Sequence, residues 1–72
     1  MDEIVAITNK LLKIRLQNGY KIQKEFAEYL ELNRSQYNKY ENNKEQPSIE
    51  VFYKIAKKLN LKIDDLIEED QE

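Results

Sequence analysis

Residues 23–48, QKEFAEYLELNRSQYNKYENNKEQPS, constrain the fold more than any other stretch of this chain. They read as two short helices, about 23–30 and 34–41, on either side of a tight turn. Phe26, Ala27, Leu30, Leu32, Tyr37 and Tyr40 recur at helical spacing, so both helices can face one core. The opposite face of the second helix carries Arg34, Ser35, Gln36, Asn38 and Lys39, with no acidic residue before Glu41. A small helix that is apolar inward and rich in hydrogen-bonding groups outward suits insertion into a DNA major groove.

Composition narrows the alternatives. The chain has 72 residues, with one glycine, Gly19, and one proline, Pro47, which favours helix over an all-β arrangement. At this length one domain with a barely sufficient core is expected. Cysteine and histidine are both absent, so disulfides, thiolate metal sites and the commonest acid–base group are removed. No cofactor or metal is expected. The only serines, Ser35 and Ser48, sit at short helix starts without an adjacent base, and the carboxylate pairs Asp64-Asp65 and Glu68-Glu69 lie on a solvated terminus. An enzyme is therefore not expected. Apolar runs are a few residues long and no secretion signal is visible, which predicts a cytoplasmic chain.

The formal net charge is −2, which counts mildly against a nucleic-acid partner. Its distribution softens the objection. Residues 21–47 hold five basic and five acidic side chains, whereas residues 48–72 hold four basic and seven acidic ones. The excess acid is thus at the far end, in Asp64, Asp65, Glu68, Glu69, Asp70 and Glu72. A net-acidic chain can bind DNA through a face that is not acidic, with weak long-range steering.

In chain order, Ile4, Ile7, Leu11 and Ile14 make a helical stripe, which predicts a first helix over 4–18 stopped by Asn18-Gly19. Ile22 stands where the second helix would want a capping side chain, an omission worth about 0.5–2 kcal/mol if nothing replaces it. Glu31 occupies the turn. A left-handed conformation there is strained by about 1 kcal/mol. Asn33 caps the next helix, with Gln36 three residues on in a capping-box pattern. Arg34 and Ser35 in its first turn, with Asn38 and Lys39 one turn later, are the candidates for base edges. Tyr37 and Tyr40 keep phase with Leu30 and Leu32 and so read as core, not as a stacking platform for single strands. Tyr29 and Tyr53 read as half-exposed. Asn43 is placed for a left-handed helix end. Ser48 caps a fourth helix over 49–59, with Ile49, Phe52, Ile55, Ala56 and Leu59 as its stripe. Asn60 terminates it and Leu61 returns to the core. A short helix over 64–69 follows, and 70–72 reads as a disordered acidic tail beyond a domain of residues 1–69.

This ordered set of residues resembles the Cro/CI-type helix-turn-helix family, known also as the xenobiotic-response-element or phage-repressor family. The matching positions are Gln23, Glu25, Phe26-Ala27, Leu30, Leu32, Asn33-Arg34-Ser35, Tyr37, Tyr40-Glu41-Asn42 and Pro47-Ser48. The match continues through Ile49, Phe52, Ile55-Ala56, Leu59-Asn60-Leu61 and Ile63-Asp64-Asp65-Leu66. It covers roughly residues 4–67. Ile22 and Glu31 depart from the usual cap and turn. The resemblance implies an all-α, compact five-helix, lambda-repressor-like domain. It implies that Gln23, Asn33, Gln36, Asn42 and Lys44 hold phosphates while Arg34, Ser35, Asn38 and Lys39 read bases, and that Arg15 and Glu41 form a structural ion pair. It also implies a two-fold dimer through Ile63, Leu66 and Ile67, although fraying of that end is equally compatible with the sequence.

Two functions follow from the resemblance. One is sequence-specific binding of double-stranded DNA at an inverted-repeat operator, by a repressor of phage or mobile-element type, bacterial or phage-encoded and associated with the nucleoid. The other is a protein-interaction module, such as the antitoxin half of a toxin–antitoxin pair, which the acidic C-terminal end favours. Fold alone does not choose between them.

Overall fold

Ile7 and Thr8 are β-branched and suit a pleated strand. In the computed structural model, which describes residues 6–70, they lie in a strand, β1, Ala6–Asn9. β1 pairs antiparallel with β2, Ile67–Asp70, setting Ile7 opposite Glu69 and Asn9 opposite Ile67. The Asn9 N–H donates to Asn43 Oδ1 at 2.9 Å, and the Lys10 N–H to the Leu66 carbonyl at 2.7 Å. With those donors committed to remote acceptors, no run of i to i−4 bonds can pass through residues 9 and 10. The expected helix over 4–18 is corrected accordingly: α1 spans Leu11–Gln17. Ile4 lies outside the described residues, and Ile7 is 44% exposed instead of belonging to a buried stripe.

The C-terminal end is corrected in the same way. The expected helix over 64–69 is a single 3-10 turn, Ile63–Leu66, leading into β2. The Lys62 N–H donates to the Asp65 carboxylate at 3.0 Å and closes the turn. The architecture among the described residues is four α-helices and a two-stranded sheet, not five helices. Leu66 is fully buried inside its own chain, so it is not available to a dimer partner, contrary to expectation. Ile63 and Ile67 are half-buried against the same core. Asp70, expected to open a disordered tail, is the last residue of β2, and residues 71 and 72 lie outside the described residues.

Between these ends run α2, Gln23–Tyr29, α3, Arg34–Glu41, and α4, Ile49–Leu59, at or within a residue of the expected bounds. Ser48 Oγ accepts the Val51 N–H at 3.2 Å and caps α4, while Asn60 ends it at φ 60°. The core takes Leu11 and Ile14 from α1, Phe26 and Ala27 from α2, Tyr37 and Tyr40 from α3, and Phe52, Ile55 and Ala56 from α4. Leu30 and Leu66 complete it. Two residues expected in the core, Ile49 of the α4 stripe and Leu61 after it, lie outside it. Ile49 is 68% exposed, because it opens the helix and the preceding Pro47 is buried in its stead. Leu61 is 37% exposed, because the chain turns sharply at Asn60 and Leu66 fills the core beyond.

Candidate nucleic-acid interface

Helices α2 and α3 are joined by a turn whose geometry is set locally. The Leu32 N–H donates to the Ala27 carbonyl at 2.9 Å, and Glu31 takes the left-handed conformation at φ 61°. A non-glycine residue there is strained by about 1 kcal/mol. Ile22 precedes α2 without any capping side chain, as its sequence predicts. Asn33 Oδ1 accepts the Gln36 N–H at 3.1 Å and caps α3. The reciprocal half of a capping box is missing, because the Gln36 amide donates to Glu45 at 3.4 Å. On the inner side, the Phe26 and Tyr37 rings meet edge to face with centroids 5.8 Å apart, and Tyr20 covers Phe26 at 5.1 Å. Those aromatic contacts fix the angle between the two helices and leave the other face of α3 to solvent.

That outer face is a shallow cleft lined by Gln23, Arg34, Ser35, Asn38, Lys39 and Lys44. It brings together three cations, Arg34 and Lys39 from α3 and Lys44 from the segment after it, and no carboxylate lines it. Of the residues expected at DNA, Asn33, Gln36 and Asn42 do not line it. Asn33 is occupied as a cap, and the Asn42 amide donates to Asn38 Oδ1 at 3.2 Å. Glu45 stands at the rim, with Lys39 Nζ 3.6 Å from its carboxylate. Both are half-exposed, so the pair contributes only about 0–1 kcal/mol and is readily exchanged for another anion.

Behind the cleft lies a buried ion pair. Arg15 Nε donates to Glu41 Oε2 at 2.8 Å and its second terminal nitrogen to Oε1 at 3.1 Å. The remaining guanidinium nitrogen donates to the Tyr20 and Lys21 carbonyls at 3.0 and 2.8 Å. Arg15 thereby ties α1 to the loop before α2 and to the end of α3. Gln23 Nε2 adds a third donor to Glu41 Oε1 at 2.8 Å. Burial alone would raise the Glu41 carboxyl, but the hydrogen bonds from Arg15 and Gln23 outweigh it and hold the group below its ordinary value. The hydrogen bond to Glu41 likewise raises Arg15.

Sequence reasoning missed Asn9. It is buried, and its amide donates to the Tyr40 carbonyl at 2.6 Å and to Gln46 Oε1 at 2.9 Å. Asn43 Oδ1 accepts both the Asn9 N–H and, at 2.7 Å, the Gln46 amide. This ring of three amides holds the segment after α3, including Asn43 at φ 58° and its neighbour Lys44, against β1. The only signal for it was an asparagine just before α1, where its Oδ1 accepts the Leu11 N–H at 3.0 Å.

The helix-turn-helix family model matches residues 11–66, from the start of α1 to the end of the 3-10 turn. The chain belongs to the Cro/CI-type helix-turn-helix family. That family consists of DNA-binding transcription regulators, generally without enzymatic activity. β1, which displaces the start of the expected first helix, precedes the part of this Cro/CI-type domain that the family shares. No curated protein matches the chain. Among the described residues no helix is long and apolar enough to cross a membrane, and no cluster of acidic side chains could hold a metal ion.

Proposed function

We propose that this chain binds double-stranded DNA sequence-specifically and acts as a repressor, with α3 in the major groove. The observation that carries the reading is the cleft of Arg34, Lys39 and Lys44 around Ser35 and Asn38, free of carboxylates on a chain of net charge −2. Arg34, Ser35, Asn38 and Lys39 meet base edges. Lys44 and Gln23 hold phosphates on either side, and Asn33, Gln36 and Asn42 support them through backbone and side-chain bonds. Two copies related by a two-fold axis read half-sites about 34–36 Å apart on an inverted repeat. The pairing surface is the exposed apolar groove of Ile49, Tyr53 and Ile63 on α4 and the 3-10 turn, with Leu61 at its end. The regulator works on nucleoid DNA of a bacterium or phage.

Selection of random duplexes by the purified chain tests this. Enrichment of one inverted repeat, bound far more tightly than bulk DNA and with a steep salt dependence, is the expected result. No enrichment and no binding at low salt would reject it. The same apolar groove favours a second reading, in which it holds a small protein partner as an antitoxin does. Co-purification of a stoichiometric partner from the native cell is the result that would favour it.

A further inference from the structure

The amide side chains on the DNA-facing side of α3 are not independent. Gln23 Oε1 accepts the Asn38 amide at 3.0 Å, and Asn38 Oδ1 accepts the Asn42 amide at 3.2 Å. Gln23 in turn donates to Glu41 at 2.8 Å, and Glu41 is held by Arg15. An ionised carboxylate can only accept, whereas an amide offers an acceptor at one end and donors at the other. Glu41 therefore forces the nitrogen end of Gln23 inward and its oxygen outward. That oxygen forces the nitrogen end of Asn38 toward Gln23, and the oxygen of Asn38 toward Asn42. Every donor in the chain points the same way, from the exposed Asn42 to the buried ion pair.

We propose that the Arg15–Glu41 pair, acting through Gln23, sets which end of the Asn38 amide is presented to DNA, which makes Gln23 a positioning residue for sequence readout. Asn38 keeps one N–H and one oxygen lone pair uncommitted, and those are the two groups an asparagine uses on the N7 and N6 edge of adenine. Holding the amide in one orientation excludes the flipped form, which would present the opposite pattern. The ordering is made before DNA arrives, so the side chain need not be immobilised at the moment of binding. Both ends of the device are this chain's own: the ion pair is buried, and the amides lead from it to the surface over one turn of α3.

The inference rests on the proposed DNA binding, and the experiment separates the two. Affinities of the parent, Gln23→Met, Asn38→Ala and the double variant are measured on the selected duplex and on duplexes changed at each base pair. Thermal midpoints establish that each variant is folded. Asn38→Ala is expected to reduce discrimination at one adenine-containing base pair by about 5–150-fold, the range of a bidentate contact. Gln23→Met is expected to relax discrimination at that same base pair, and the double variant to be no less discriminating there than Asn38→Ala alone. If Gln23→Met weakens all duplexes equally and keeps the parent profile, Gln23 is a phosphate contact only and the inference is overturned. Independent, additive effects of the two substitutions overturn it as well. A parent chain that discriminates among no duplexes overturns the DNA reading, and this inference with it.

Discussion

Tyr37 is where the core is least satisfied. Its hydroxyl is the one buried side-chain polar atom without a hydrogen-bond partner among the described residues. Burial, and then the Glu41 carboxylate nearby, push the phenol well above its ordinary range, so it stays neutral. An unpartnered buried hydroxyl costs about 1–3 kcal/mol. Tyr37→Phe is therefore expected to be neutral or to stabilise by about 1 kcal/mol in urea denaturation. A loss of more than that would mean the hydroxyl is bonded in solution. The neighbouring ion pair behaves oppositely. The Arg15 and Glu41 side chains are 9% and 4% exposed, so Arg15→Met strands a buried carboxylate and is expected to cost about 3–5 kcal/mol. Because Glu41 binds its proton less tightly when folded than when unfolded, the pair stabilises the fold above the ordinary glutamate value of 4.5. That contribution is lost as pH falls from there through the lowered folded value. Stability of the parent should drop steeply below pH 4.5, and a paired Arg15→Met, Glu41→Leu variant should lack that component. Identical acid profiles for the two would remove the pair as its cause. At this scale the caps and turns were legible: Asn33, Ser48, Glu31, Asn43 and Asn60 each act on backbone within a few residues. The amide bonds of Asn9 were not, because the carbonyls that accept them lie more than thirty residues away; only its Oδ1 acts locally, on the Leu11 N–H.

At the scale of elements, the proposed reading divides the work by position along α3. On it Arg34, in the first turn, meets a base edge, and Lys44, beyond the last turn, holds a phosphate. Arg34→Ala should change the preferred sequence, costing about 1–3 kcal/mol at one position. Lys44→Ala should weaken binding to every duplex alike and reduce the salt slope by about one unit. Uniform losses from both would collapse the distinction between reading and holding. The helices α2, α3 and α4 were legible because their apolar spacing is carried within each segment. The strands were not. β1 and β2 are four residues each, and Ala6 pairs with Asp70 across nearly the whole chain. Within Ala6–Asn9 alone, the same residues satisfy a helical stripe as well as a strand.

For the whole molecule, the question is what covers α4. Ile49 and Tyr53 are 68% and 56% exposed, and with the half-buried Ile63 they line one groove flanked by Glu50, Lys54 and Lys57. Mixed charges around an apolar strip suit a self-complementary two-fold contact. Tyr53→Glu is expected to shift the sedimentation of the chain toward monomer. It should lower affinity for a full inverted repeat while leaving binding to a single half-site unchanged. A parent chain that sediments as a monomer both free and on DNA would reject the dimer. Among the described residues, none of the acidic side chains after residue 48 lines the cleft of Arg34, Lys39 and Lys44, so the net charge of −2 limits steering more than contact.

The order of amino acids by itself determined the helix-turn-helix, its caps, its left-handed turns and the polar face of α3. All of these depend on interactions within a turn or two of helix, where spacing along the chain is spacing in space. Tertiary structure decided what the two ends become. It joined them as a sheet, buried Leu66, exposed Ile49, and aligned the amides of Gln23, Asn38 and Asn42 on a carboxylate held by Arg15. Those outcomes depend on which donors and apolar groups meet across the fold, and that is settled only when distant segments compete for the same core and the same acceptors.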